Sequence, residues 1–109
     1  MTAYNVVRFR VKPGKDEEFL EAHSAGKADW PGLKNGVIIK TGDGAYCLIG
    51  EWAGADAIVN ARPGMLATLN SFRHVLEPTA AGATDAVSGP VVLSITRRNV
   101  SAKPRDEAL

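Results

Sequence analysis

Two histidines are the proton carriers of this chain, and their neighbours suggest what each does. His74 follows Asn70 by four residues, one helical turn, so the two side chains can share a strip of one helix. A histidine titrates near neutrality and serves as a general base, which makes His74 with Asn70 the first catalytic candidate. The alternative is a solvated helix histidine beside Arg73. His23 sits one turn beyond Phe19 and is placed to line a cavity near Trp30, with a boundary position as its alternative. Tyr46 and Trp52 are expected on one sheet face, as packing or as an aromatic wall against a flat ligand. Phe72 is expected to line the same cavity. Arg62, in Arg62-Pro63-Gly64, is placed to meet an acidic group or an oxyanion unless it only marks a break in a helix.

Other chemistries find little support. No two histidines stand at ligand spacing, the single cysteine cannot build a Cys-rich metal site, and no Gly-x-Gly-x-x-Gly or Gly-Lys-Ser/Thr loop occurs. Ser24, Ser71, Ser88 and Ser94 lack the context of a nucleophile. No cofactor and no metal are therefore expected.

The elements that must position these residues follow from periodicity. Tyr4 to Val11 alternates as a strand and stops at Lys12-Pro13-Gly14. Asp16-Glu17-Glu18 places negative charge at a helix start, and Phe19, Ala22, His23 and Gly26 recur at helical spacing before Asp29-Trp30-Pro31-Gly32. Gly36 to Thr41 and Ala45 to Trp52 read as strands joined at Asp43-Gly44. Ile58, Arg62, Met65, Leu69, Phe72 and Leu76 form one stripe of a second helix starting near Ala55, which Pro63-Gly64 is expected to kink or divide. Pro78 ends it, and Ser88 to Arg97 reads as the last strand. The order β-α-β-β-α-β predicts one ferredoxin-like α+β domain over residues 1–97, with a four-stranded antiparallel sheet, two helices on one face and a polar tail over 98–109.

A two-residue turn at Asp43-Gly44 would set Thr41 opposite Tyr46 and Ile39 opposite Leu48. Val37, Ile39, Tyr46, Leu48 and Trp52 would then face the helices, with Val7, Phe9 and Val11 and with Val91, Leu93 and Ile95. The opposite face would hold Val6, Arg8, Ile38, Ile49, Glu51 and Val92, too apolar for a surface meant for water. A homodimer with sheets face to face is expected, with Arg8, Ile38, Ile49 and Glu51 in the contact and an Arg8–Glu51 pair within or across it.

Composition narrows the function classes. The 109 residues are 45% apolar and 23% charged, with a net charge of +1, so no strong field steers the chain to nucleic acid or anionic lipid. RNA recognition on this strand order needs basic and aromatic residues on the third strand, and Ala45-Tyr46-Cys47-Leu48-Ile49-Gly50-Glu51 lacks them. No apolar run is long enough for a membrane span, and Met1-Thr2-Ala3-Tyr4 does not read as an export signal. A cytoplasmic protein binding a small hydrophobic or aromatic molecule is expected, with no nucleic-acid or membrane partner.

The strand Val6-Val7-Arg8-Phe9-Arg10-Val11 ending in Lys12-Pro13-Gly14, the acidic helix start with Phe19, and the hairpin closing on Glu51-Trp52 before a helix together resemble the antibiotic biosynthesis monooxygenase superfamily of dimeric α+β barrels. The resemblance runs over about residues 4 to 96 and implies a pocket between the sheet and helices of each subunit. It implies a cofactor-independent monooxygenase acting on an aromatic or polyketide-like compound, in which His74 would make an electron-rich anion that reduces oxygen. A non-catalytic small-molecule-binding or stress-response dimer is the alternative. The haem-degrading branch is disfavoured, since its strand asparagine falls at Val7, the second helix has no tryptophan, and His74 is offset.

Overall fold

The computed structural model describes residues 1–24, 29–78 and 84–95. Its elements run β1 (Ala3–Arg10), α1 (Asp16–Glu21), β2 (Leu33–Gly42), β3 (Ala45–Trp52), α2 (Ala55–Phe72), a short 3₁₀ turn (Arg73–Val75) and β4 (Asp85–Pro90). The strands form one antiparallel sheet in the order β2-β3-β1-β4. Both helices pack on the same face, which gives the ferredoxin-like fold expected from the element order. The expected tail, 98–109, lies outside the described residues, as does Gly26 of the expected first helix.

The local rules explain most boundaries. Asp16, Glu17 and Glu18 occupy the first turn of α1, where the helix dipole favours negative charge. This helix is shorter than its periodicity suggests, because the amides of His23 and Ser24 bond three residues back and tighten its end. Gly44 takes the left-handed conformation in the hairpin, and its carbonyl accepts from Val11 at 2.7 Å, tying the hairpin tip to the end of β1. Pro63 does not divide α2, which runs as one helix through it with the missing donor costing one ladder bond.

Two departures alter which residues face where. A bulge at Thr41 shifts the hairpin register, so Lys40 pairs with Tyr46, Ile39 with Cys47, Ile38 with Leu48 and Val37 with Ile49. A slip of one residue moves every side chain to the other face. Ile38 therefore packs toward the helices, not on the open face, while Val37 and Ile39 are exposed there. The last strand also lies earlier than expected. Pro90 stands opposite Ala3, where β1 begins, so the described residues beyond it, 91–95, have no strand opposite them, and Leu93 and Ile95 are exposed instead of buried. Residues 96–97 of the expected strand lie outside the described residues. Just past β4 the Val91 amide donates to the Thr2 carbonyl at 2.8 Å.

The buried core falls into two clusters. One gathers Phe9, Val11, Phe19, Tyr46, Phe72, Val75 and Leu76, and the other Ala3, Trp52, Ile58 and Ala61. Burying a side chain such as Phe19 stabilises the fold by about 2–3 kcal/mol, so the first cluster anchors α1 despite its six residues. The open face carries a cross-strand row of Val87, Val6, Ile49 and Val37, one residue from each strand. Arg8 stands opposite Cys47 and Asp85, and Glu51 opposite Tyr4, so Arg8 and Glu51 are not the cross-strand neighbours expected.

Candidate functional site

Between the two core clusters the sheet presents small residues. On the helix-facing side Ser88, Asn5, Gly50 and Gly36 stand in one row across all four strands. Bulkier rows flank it: Ala86, Val7, Leu48 and Ile38 on one side, Pro90, Ala3, Trp52 and Leu33 on the other. A row of short side chains under a helix layer leaves a trench, and two cavities occupy it. One, of about 250 Å³, lies between α2 and the strands and is lined by Val7, Phe9, Ile58, Arg62, Met65 and Phe72 among others. The second, of about 280 Å³, extends over Gly36, Gly50, Leu33 and Trp52. Asn5, His23, Trp30 and Leu48 line both. A dry cavity of about 150 Å³ takes one benzene, so either compartment has room for more than a single ring.

Asn5 is the polar residue at the floor. It is 5% exposed, and its Oδ1 accepts from Trp52 Nε1 at 2.8 Å. The indole N–H only donates, which forces the amide oxygen toward it and leaves the Asn5 NH₂ as the donor available to a ligand. Gly50 makes this bond possible: a Cβ there would lie 2.4 Å from Asn5 Oδ1 and 2.8 Å from Trp52 Nε1.

His23 is fixed in one protonation pattern. Its Nδ1 lies 3.0 Å from the Phe19 carbonyl, which can only accept, so Nδ1 carries the hydrogen and Nε2 keeps the lone pair. Burial holds its pKa below the ordinary value of 6.5, against the smaller opposing pull of that carbonyl. The ring packs edge-on against Phe72 and Phe19, with centroids 4.7 and 4.9 Å away. The result is a neutral imidazole with an acceptor nitrogen among aromatic side chains on the cavity wall.

Trp30 borders both compartments of the trench. It stacks on Trp52 at 6.1 Å with planes 12° apart, and it sits so close to α2 that a Cβ at Gly64 would lie 3.1 Å from Trp30 Cδ1. The Pro63-Gly64 pair, read from sequence as a helix break, is thus where α2 makes room for a tryptophan.

The remaining expected site residues are distributed differently. Arg62 and Phe72 line the first cavity, and Trp52 borders the second. Tyr46 is packed in the core against Phe19 and donates its hydroxyl to the Asp16 carboxylate, which pushes its pKa up; it reaches neither cavity. His74 and Asn70 lie outside the trench altogether. His74 stands on the 3₁₀ turn with its side chain 61% exposed and its Nε2 on Glu18, and Asn70 accepts from Arg73 at 2.9 Å. Buried Phe72 explains this, because a residue two positions further along a helix points to the opposite side. Asn5 and Ser88 also line the first cavity; their signal in the sequence is a polar residue on a strand face otherwise apolar. Among the described residues no three His, Cys, Asp or Glu side chains gather as a metal site.

No family model matches the chain, and no curated protein does. Solved structures match closely in fold. A cofactor-independent oxygenase from Streptomyces nogalater, SnoaB, is 21% identical with a TM-score of 0.64, over 88% of this chain and 98% of that one. The ActVA-Orf6 monooxygenase of Streptomyces coelicolor, solved with nanaomycin D, is 20% identical with a TM-score of 0.66, over 88% and 92%. A protein of unknown function from Nitrosomonas europaea is 14% identical with a TM-score of 0.66, over 89% and 95%. The strand order and the helix layer therefore follow the fold of the antibiotic biosynthesis monooxygenase structures.

Proposed function

We propose that the chain is a cofactor-independent monooxygenase acting on a small aromatic phenol or enol, with His23 as its base. The observation that carries this reading is the neutral His23, its Nε2 unprotonated, on the wall of an apolar cavity whose floor offers the Asn5 amide. Nε2 takes the acidic proton of the ligand, and the Asn5 NH₂ stabilises the oxyanion that forms. The resulting anion, carbanion-like at a ring carbon, reduces dioxygen; overall, the C–OH and a ring C–H of the substrate become the two carbonyls of a quinone, one atom of O₂ entering the new ring carbonyl and the other leaving as water. Two structures of the same fold are described as oxygenases, one of them cofactor-independent, and a third protein as of unknown function. A non-catalytic binding protein is the second reading, favoured by the fact that His23 leans on a carbonyl and has no carboxylate behind it.

The chain works as a cytoplasmic homodimer in this reading. The row Val87, Val6, Ile49 and Val37 crosses the whole open face, with Val87 67% and Val37 47% exposed, and a second copy of the same row is its natural cover. Ile49→Lys is expected to turn a dimer into a monomer in sedimentation; a wild-type chain that stays single at micromolar concentration contradicts this.

Oxygen uptake by metal-free protein with anthrones, naphthols and quinols tests the activity. Uptake above the buffer blank that His23→Ala abolishes supports the oxygenase. Saturable binding without uptake supports the second reading, and neither result leaves the cavity without a role.

A further inference from the structure

We propose that the ligand of this cavity is an aromatic acid whose carboxylate is held by Arg62 at the rim. The inference rests on the aromatic-site reading above and adds the chemistry of the ligand's outer end.

Exposure sorts the lining into floor and rim. Asn5, Phe9, Ile58 and Phe72 are all 6% exposed or less, whereas Leu66 is 50% exposed, and Arg62 and the helix-facing Ala86 and Ser88 of β4 are exposed with it. The trench therefore opens between the middle of α2 and the edge strand β4. Arg62 stands at this opening within the stripe Ile58, Arg62, Met65 and Leu69.

Nothing on its own helix neutralises it. The residues one turn to either side are Ile58, Val59, Met65 and Leu66, all apolar, so no carboxylate stands where a helical ion pair would form. Among the described residues Arg62 makes no hydrogen bond or ion pair. A guanidinium presents a fixed fork that matches a carboxylate in two bonds, and apolar walls beside it raise the strength of such a pair over that in open water.

The floor asks for the opposite chemistry. A neutral imidazole and an amide NH₂ suit a hydroxyl that ionises during reaction, and among the described residues no cation stands at the floor to offset a permanently charged carboxylate. The ligand class is thus a flat ring system with an ionisable hydroxyl at its inner end and a carboxylate at its outer end.

Two naphthalenes of the same ring size test this: 6-hydroxy-2-naphthoate and 2-naphthol, titrated calorimetrically at pH 7 against folded protein of unchanged melting temperature. Wild type is expected to bind the acid about tenfold more tightly than the naphthol, with a preference that shrinks as salt is raised. Arg62→Ala and Arg62→Glu are expected to remove that preference and to leave 2-naphthol within about twofold. Equal affinities in wild type, or a preference that survives Arg62→Ala, overturn the role of Arg62 while the cavity reading stands. Failure of both compounds to bind at millimolar concentration overturns the cavity reading and this inference together.

Discussion

The two histidines of this chain have the same side chain and opposite surroundings. His23 follows the last turn of α1 with its ring among Phe9, Phe19 and Phe72, its Nδ1 on a carbonyl and its pKa lowered by burial. His74 follows the last turn of α2 in water, with Glu18 beside it. One imidazole is a desolvated acceptor facing a cavity, and the other is an exposed ring resting on a surface carboxylate, a contact of a kind usually worth less than about 1 kcal/mol. What separates them is the face on which each helix ends. Position relative to a buried neighbour sets the chemistry of a titratable group before any partner is considered.

The largest effect that can break this contrast is on rate. With any substrate the protein turns over, His23→Ala is expected to lower kcat at least about 100-fold, the usual minimum for losing a general base. His74→Ala is expected to stay within about twofold. Steady-state oxygen consumption measures both, and equal losses would dissolve the distinction.

A smaller effect concerns the floor beside His23. Gly50→Val puts a side chain onto the Asn5–Trp52 bond and is expected to cost about 2–4 kcal/mol, from overpacking and from stranding a buried indole N–H. Gly89→Ala, on the open side of β4 with nothing within 4 Å of the added Cβ, is expected to cost under about 1 kcal/mol. Urea denaturation of the two variants compares the faces directly.

Most of the fold was legible from alternation and turn chemistry, because period-2 and period-3.6 patterns are local. The limits of β3 and the start of α2 follow directly from residues 45–52 and 55–72. The register of β2 was not legible: the bulge at Thr41 leaves no mark in a sequence that already offers a good two-residue turn, and it alone moved Ile38 from the open face to the core. The end of β4 depended on where β1 begins, a non-local fact. For the site, the stripe Ile58, Arg62, Met65, Leu69 and Phe72 pointed to the cavity, and His74, two residues past Phe72, was already off it. The trench needed the pairing of Ser88, Asn5, Gly50 and Gly36 across four strands, which no single segment carries.

The smallest expected effect is in pH. Since burial lowers the pKa of His23, the folded chain resists the proton that the unfolded chain accepts near 6.5. Its contribution to stability is intact above 6.5 and is lost as pH falls from there through the lowered folded value. The acid limb of kcat/KM is likewise expected to lie below pH 6.5 and to vanish in His23→Ala. A limb at or above 6.5 would place the base in water.

The central claim, that His23 and not His74 faces the ligand, is tested most directly by long-range ¹⁵N correlation spectra of the two imidazoles during a titration with 2-naphthol at pH 7. The structure predicts His23 as the Nδ1–H tautomer, with its Nε2 resonance moving as ligand is added and His74 unchanged. Movement of His74 alone, or a His23 found protonated on Nε2, would contradict it.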